Sequence, residues 1–245
     1  MEERRRNIYF VSDVHLGLPQ GDPQEREKRF CDFLASIPVS STRAVCLLGD
    51  IWDFWYEYRD VVPREGIRVV SQLIALIDEG VEVWFCEGNH DMWSFSFFQS
   101  LGMKKFSQPH FVTIDGREFC LGHGDGLGGA KWSYKLMLKV FHSKVAQKCF
   151  STLHPWLAFR FGLGWSNSNR RTHEPYHFRG EDEPLYKFAA ATLQQRHVDY
   201  FVFGHFHDGV DIALPGGERL VVVKDWIGGG TPHCVWDGET LTSSF

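Results

Sequence analysis

Five short stretches gather side chains that can bind metals or move protons: residues 12–17 (SDVHLG), 48–55 (LGDIWDFW), 87–91 (EGNHD), 122–125 (GHGD) and 203–207 (FGHFH). Together they offer the carboxylates of Asp13 and Asp50, the imidazoles of His15, His123, His205 and His207, and the amide of Asn89. Mixed nitrogen and oxygen donors without a thiolate suit Mn²⁺, Fe or Zn²⁺ better than an all-oxygen Mg²⁺ cage. Seven candidates exceed the needs of one tetrahedral ion. A carboxylate bridging two ions ~3.5–4 Å apart is the arrangement used for in-line displacement at phosphorus. Asp13 and His15 stand two apart, as do His205 and His207, and alternation along an extended segment would aim each pair to one side.

The elements that must position these groups are short apolar runs. NIYFVS (7–12), RAVCLL (43–48) and VEVWFC (81–86) read as strands that stop at Gly, Asp or Asn. Between them, 24–36 and 66–79 repeat apolar residues at helical spacing. This alternation predicts α/β layering with right-handed crossovers, and in open α/β sheets sites form at the carboxyl ends of strands. Later runs at HFVTID, REFCLGH, DYFVFGH, DGVDIAL and RLVVVKDW predict a second, more mixed sheet packed on the first, with a late helix over 183–195.

The bulk composition is that of an ordinary globular protein. The chain has 245 residues and six cysteines without CxxC spacing, so a cytoplasmic, disulfide-free protein is expected. The N-terminal apolar stretch is too short for a signal peptide, and no run reaches the ~20 apolar residues that span a bilayer. The chain contains no GxSxG elbow, no Walker loop and no plausible cysteine nucleophile. Nucleic acid is disfavoured as a partner by the net charge of −5, and no obligate protein partner is evident. Arg4, Arg5 and Arg6 could favour an anionic membrane surface.

Residues 126–180 differ from the rest, carrying nine Lys and Arg against the single acid Glu174. Lysines interleave with apolar residues over 130–150, and an aromatic run, HPWLAFRFGLGW, follows. This predicts a helical lid over 126–180 inserted into a core of 1–125 and 181–245, suited to an anionic and greasy substrate.

The five stretches in order, from residue 12 to 207, resemble the calcineurin-like metallophosphoesterase superfamily. That resemblance implies a four-layer α/β/β/α sandwich and a dinuclear site. One ion would take Asp13, His15, Asp50 and His207, and the other Asp50, Asn89, His123 and His205, with Asp50 bridging. Two divalent ions lower the pKa of a shared water and offset charge on phosphoryl oxygens. The ions expected are Mn²⁺, with Fe or Zn²⁺ as alternatives.

LGDIWDFW, HGDGLG and the insertion between His123 and His205 further resemble the UDP-2,3-diacylglucosamine diphosphatases of lipid A biosynthesis. The resemblance implies an acylated UDP-sugar substrate, cleaved to UMP and 2,3-diacylglucosamine 1-phosphate. It also implies a place at the cytoplasmic face of a Gram-negative inner membrane. Tyr134, Asn169, Arg170 and Arg171 occupy places resembling cap residues that hold the sugar phosphate. The alternative is a soluble metallophosphoesterase acting on a nucleotide, phosphoprotein or other small phosphoester.

Within EGNHD, Asn89 is the expected ligand, and His90 is expected to face substrate as proton or hydrogen-bond donor. Asp91 is expected to bond the His90 imidazole and fix its tautomer. Many of the lipid enzymes read Asn-Arg-Asp here, so a titratable cation stands in place of a permanent one. Asp53 and Asp125 are expected to orient ligands from behind. Trp52, Phe54, Trp55 and Tyr56 are expected in packing, with the apolar floor of the cleft as the alternative.

Overall fold

The computed structural model of the chain describes residues 5–129, 132–171 and 177–245. Side-chain parity in the first strands decides the layering. In β1 (Asn7–Val11), Ile8 and Phe10 face one side and Tyr9 and Val11 the other; in β2 (Thr42–Leu47), Ala44 and Cys46 alternate likewise with Val45 and Leu47. Strands apolar on both faces need cover on both sides. With β3 (Glu82–Cys86) and β4 (Lys104–Phe106) they form the parallel order β1-β2-β3-β4.

Three helices cover the outer face: α1 (Pro23–Ser36), α2 (Ile67–Asp78) and the short α3 (Phe97–Ser100). Phe30, Phe33, Leu34, Val69, Leu73 and Phe98 there pack on Val11, Val45, Leu47, Val83 and Phe85. Asp22 caps α1 by accepting from the Gln24 and Glu25 amides, both at 3.0 Å, with Pro23 at the first position.

The second sheet has the order β5-β6-β7-β9-β8, built from β5 (His110–Ile114), β6 (Arg117–Leu121), β7 (Tyr200–Phe203), β8 (Val210–Ala213) and β9 (Arg219–Val222). Phe119, Leu121, Val202 and Val221 meet Ile8, Phe10, Ala44 and Cys46 between the sheets. The Phe10 and Phe119 rings stack there with centroids 6.2 Å apart. The other face packs on α7 (Pro184–Leu193) through Leu185 and Ala189. The result is the expected four-layer α/β/β/α sandwich. Most strand and helix bounds lie within two residues of the sequence expectations; β9 ends at Val222, where the run RLVVVKDW predicted strand as far as Trp226.

One difference is topological. The last two strands, β10 (His233–Trp236) and β11 (Leu241–Ser244), return to the first sheet, where β10 pairs antiparallel with β1. Cys234 and Trp236 supply the inward face of that edge. Between β6 and α7 the described residues form three α-helices: α4 (Trp132–Phe141), α5 (Lys144–Phe150) and α6 (Pro155–Arg171). Tyr56, Met92 and Trp93 of the core meet Leu138, Phe141, Phe150 and Phe159 of these helices. Trp93 Nε1 donates to the Phe141 carbonyl at 2.9 Å and the Tyr56 hydroxyl to that of Gln147 at 2.8 Å.

Candidate metal centre and adjoining cavity

Each of the five stretches leaves the C-terminal end of a strand: β1, β2, β3, β6 and β7 in turn. The first three strands belong to one sheet and the last two to the other, so the loops meet over the seam. Backbone bonds extend the β1–β2 pairing past the strand ends, from the Asp13 amide to the Gly49 carbonyl (3.1 Å) and from the His15 amide to that of Asp50 (3.0 Å). Asp13, His15, Asp50, His205 and His207 nonetheless have φ between 51° and 74°. Such left-handed backbone is strained for residues with a Cβ, and strain of this kind gathers at functional sites. The side chains therefore converge for a different reason than strand alternation. His205 and His207 accordingly go to different groups.

Asp13, His15 and His207 form one group. The His15 and His207 Nε2 atoms lie 3.2 Å apart, and 3.6 and 3.4 Å from Asp13 Oδ1. Asp50, His123 and His205 form the other, with His205 Nδ1 3.2 Å from His123 Nε2 and Asn89 Oδ1 3.3 Å from the same atom. All seven expected ligands are thus brought together. Each aspartate uses one oxygen on the backbone: Asp13 Oδ2 accepts from the His205 amide and Asp50 Oδ1 from the His90 amide, both at 2.8 Å. Asp13 Oδ1 is buried and accepts no hydrogen bond. Asp50 Oδ2 faces His123 Nε2 at 3.3 Å and His15 Nε2 at 3.9 Å, one imidazole from each group. Gly88 makes this closeness possible, since a Cβ there would run into the Asp50 carboxylate.

The outer imidazole nitrogens are held from behind. His15 Nδ1 faces Asp53 Oδ1 at 3.2 Å, His123 Nδ1 faces the Leu48 carbonyl at 2.9 Å, and His207 Nδ1 faces Asp225 Oδ2 at 3.4 Å. Such partners fix the tautomer and aim the other nitrogen. Asp225 lies outside the five stretches, although it too follows an apolar strand run. Two expectations need correction. Asp91 does not bond the His90 ring. It is buried, with Oδ1 accepting from the Gly88 amide (2.7 Å) and Oδ2 from that of Ile51 (2.8 Å), so it ties two loops together. His90 Nδ1 lies instead 2.8 Å from the Asp53 carbonyl. Asp125 supports no ligand imidazole; it accepts from Gln108 and, at 3.2 Å, from the Tyr134 hydroxyl.

Burial favours the neutral carboxyl at Asp13 and Asp50. The surrounding imidazoles, His15 foremost at the first and His123 at the second, outweigh it and hold both carboxyls low. Burial drives His123 down, but Asp50 raises it well above its ordinary value. Burial and the His123 charge push His205 down to about 4. Buried carboxylates kept ionised by shared imidazole protons suit divalent cations, which displace those protons on binding. The donor chemistry, the unbonded Asp13 oxygen and the converging nitrogens fit a dinuclear metal site.

A cavity of about 240 Å³ opens beside this cluster. Asn89, His90, Asp53 and Ser166 give it a polar end, while Phe54, Trp93, Met137, Phe141, Phe150 and Phe161 supply most of its wall. Tyr134 also lines it. Trp52 and Trp55 are in the core and Phe54 lines the cavity, the two places expected for this aromatic run. Asn169, Arg170 and Arg171 fall in the last turn of α6, and their side chains lie outside the described residues.

Residues 6–209 match the family described as calcineurin-like phosphoesterase. A UDP-2,3-diacylglucosamine hydrolase of Porphyromonas gingivalis is 35% identical, the match covering 97% of this chain and 96% of the relative. One from Neisseria meningitidis serogroup C is 33% identical over 89% of both chains. Among solved structures, a dimetal phosphatase from Danio rerio superposes with a TM-score of 0.50 at 15% identity, over 94% of this chain and 92% of that one. This last likeness concerns the fold.

Proposed function

The chain belongs to the calcineurin-like phosphoesterase family of metal-dependent hydrolases, and from that premise we propose that it cleaves the pyrophosphate of UDP-2,3-diacylglucosamine. The products would be UMP and 2,3-diacylglucosamine 1-phosphate. The observation that carries this reading is the cavity: an aromatic and aliphatic hollow whose polar end is formed by Asn89 and His90, beside the metal groups. A small phosphoester has no use for such a wall, whereas acyl chains gain about 0.8 kcal/mol per buried CH₂. The names of the two relatives agree with it.

Asp13, His15, Asp50 and His207 would hold one ion and Asp50, Asn89, His123 and His205 the other; Mn²⁺ is the proposed metal. When bound, the ions supply Lewis-acid stabilisation of phosphoryl charge and a nucleophile at neutral pH. The chain's own residues do the rest. The Asp53 carbonyl accepts from His90 Nδ1–H, so protonated His90 donates from Nε2, to the leaving group or to a phosphoryl oxygen. Tyr134, held by Asp125, presents its ring and hydroxyl to the sugar end. Residues 126–180 act as the lid. Its helices expose Trp132, Val145, Trp156 and Phe161 between Lys135, Lys139, Lys148 and Arg160, which supports docking on an anionic membrane surface. Among the described residues no helix is long and apolar enough to cross a membrane.

The test is release of UMP from UDP-2,3-diacylglucosamine by Mn²⁺-loaded protein. If that substrate stays intact while simple phosphodiesters are cleaved, the lipid assignment fails and the metallophosphoesterase remains.

A further inference from the structure

Helix α6 rests on the core along a stripe of small residues, beside which the Phe159 ring packs on Phe54 and Tyr58. Ala158, Gly162 and Ser166, each four residues apart, are buried, while Trp156, Leu157, Phe161 and Trp165 beside them are exposed. Two rungs of that stripe meet two consecutive core residues. Gly162 lies so near Phe54 that a Cβ there would run into the ring. One turn on, Ser166 Oγ donates to Asp53 Oδ1 at 3.0 Å, with both residues buried.

The same Asp53 oxygen faces His15 Nδ1 at 3.2 Å, and the Asp53 carbonyl holds His90 Nδ1 at 2.8 Å. One residue thus joins α6 to an imidazole of the metal groups and to the imidazole at the cavity's polar end. The partner of one ring nitrogen sets the aim of the other. Since Asp53 Oδ1 serves Ser166 and His15 together, displacing α6 alters the acceptor behind His15. We propose that Ser166 and Asp53 form a relay through which the seating of α6 sets the aim of His15, so that metal binding and lid seating strengthen one another. Asp53 is a positioning residue in this scheme, which rests on the metal-centre reading and not on the identity of the substrate. Coupling between two binding events is reciprocal, so whatever seating adds to metal affinity the metal adds to seating. Asp53, Phe54, Gly162 and Ser166 all line the cavity, so a ligand there lies against both halves of the relay.

The test compares the unaltered protein with Ser166→Ala and Gly162→Ala. Mn²⁺ affinity is measured by calorimetry, and hydrogen exchange of the α6 amides is followed with and without Mn²⁺. Alanine suits a helix interior better than serine or glycine, so both variants should fold. Ser166→Ala is expected to weaken Mn²⁺ binding about tenfold, the low end for groups that support a ligand from behind. Gly162→Ala alters no polar group, yet it should weaken binding in the same direction by lifting α6 from Phe54. Mn²⁺ should slow α6 exchange in the unaltered protein and fail to do so in either variant. Unchanged affinity in both variants, or Mn²⁺-dependent slowing that persists in both, overturns the relay and leaves the metal centre standing. A loss confined to Ser166→Ala reduces the contact to a static hydrogen bond and overturns the coupling. If Mn²⁺ does not bind the unaltered protein, relay and metal centre fall together.

Discussion

The loops over the sheet seam and the helices α4, α5 and α6 treat their side chains in opposite ways. In the loops, Asp13, His15, Asp50 and His123 are buried, and each imidazole outer nitrogen of His15, His123 and His207 has an acceptor behind it. In the helices, large apolar side chains face solvent, Trp132 at 77% exposure and Val145 at 74%. Pre-arranged polar groups act on any phosphoester that reaches them, because electrostatic stabilisation needs only the developing charge. Apolar surface instead discriminates by what it covers. On the proposed function, the contrast would place the chemistry in the loops and the choice of substrate in the helices.

The largest expected effect tests the loops. Asp50→Asn removes the charge facing both groups and should lower kcat by about 10³-fold or more on any substrate, a loss of several kcal/mol of charge stabilisation. Steady-state hydrolysis of a simple phosphodiester measures it. His90→Asn should cost about 10²-fold in kcat, the lower range for a general acid. A donor role for His90 predicts activity that falls as pH rises and a variant profile that lacks that limb. A limb that survives the substitution returns His90 to a structural role. Metal removal comes next: chelation should lower Tm by about 5–10 °C, since an ion at 100 times its Kd adds ~2.7 kcal/mol. Scanning calorimetry with and without EDTA reads it.

Two smaller effects test the helices. Phe161→Ser, at the cavity wall, should lower the ratio of kcat/KM for the acylated UDP-sugar over a simple phosphodiester roughly tenfold, the worth of an aromatic side chain that an acyl chain covers on binding. An unchanged ratio would break the division of labour. Lys148→Gln should weaken binding to anionic vesicles about fivefold, at ~1 kcal/mol per charge near the surface. Sedimentation with vesicles checks it, and equal binding would remove the membrane from the role of these helices.

Much of the core was legible because its signals are local. Ile8/Phe10 against Tyr9/Val11 shows strand parity, and Phe30, Phe33 and Leu34 show a helical face, within windows shorter than a dozen residues. The strands β10 (HCVW) and β11 (LTSS) were not, because neither carries the apolar run that marks the equally short β7 (YFVF) and β9 (RLVV). Their return to the first sheet depends on pairing with β1, more than 200 residues away in sequence. The chemistry-bearing residues were legible as types after strands, but their partners were not. Asp91 adjoins His90 in sequence, yet burial beneath the Ile51 amide turns it away. The acceptor behind His90 is a backbone carbonyl, which every residue has and no motif can mark. Ser166 is likewise one serine among many until α6 is laid on Phe54 and Asp53.

Each candidate donor group draws side chains from both sheets: Asp13 and His15 with His207, and Asp50 and Asn89 with His123 and His205. The gap between the sheets is filled by side chains such as Phe10 and Phe119. That filling works as a spacer gauge for the donors above it. Close-packed interiors transmit the change of even one methylene. Phe119→Leu would therefore be expected to retune the distance across each donor group while leaving every donor in place. Sequence drift in this buried layer could then shift metal preference between family members whose ligands are identical.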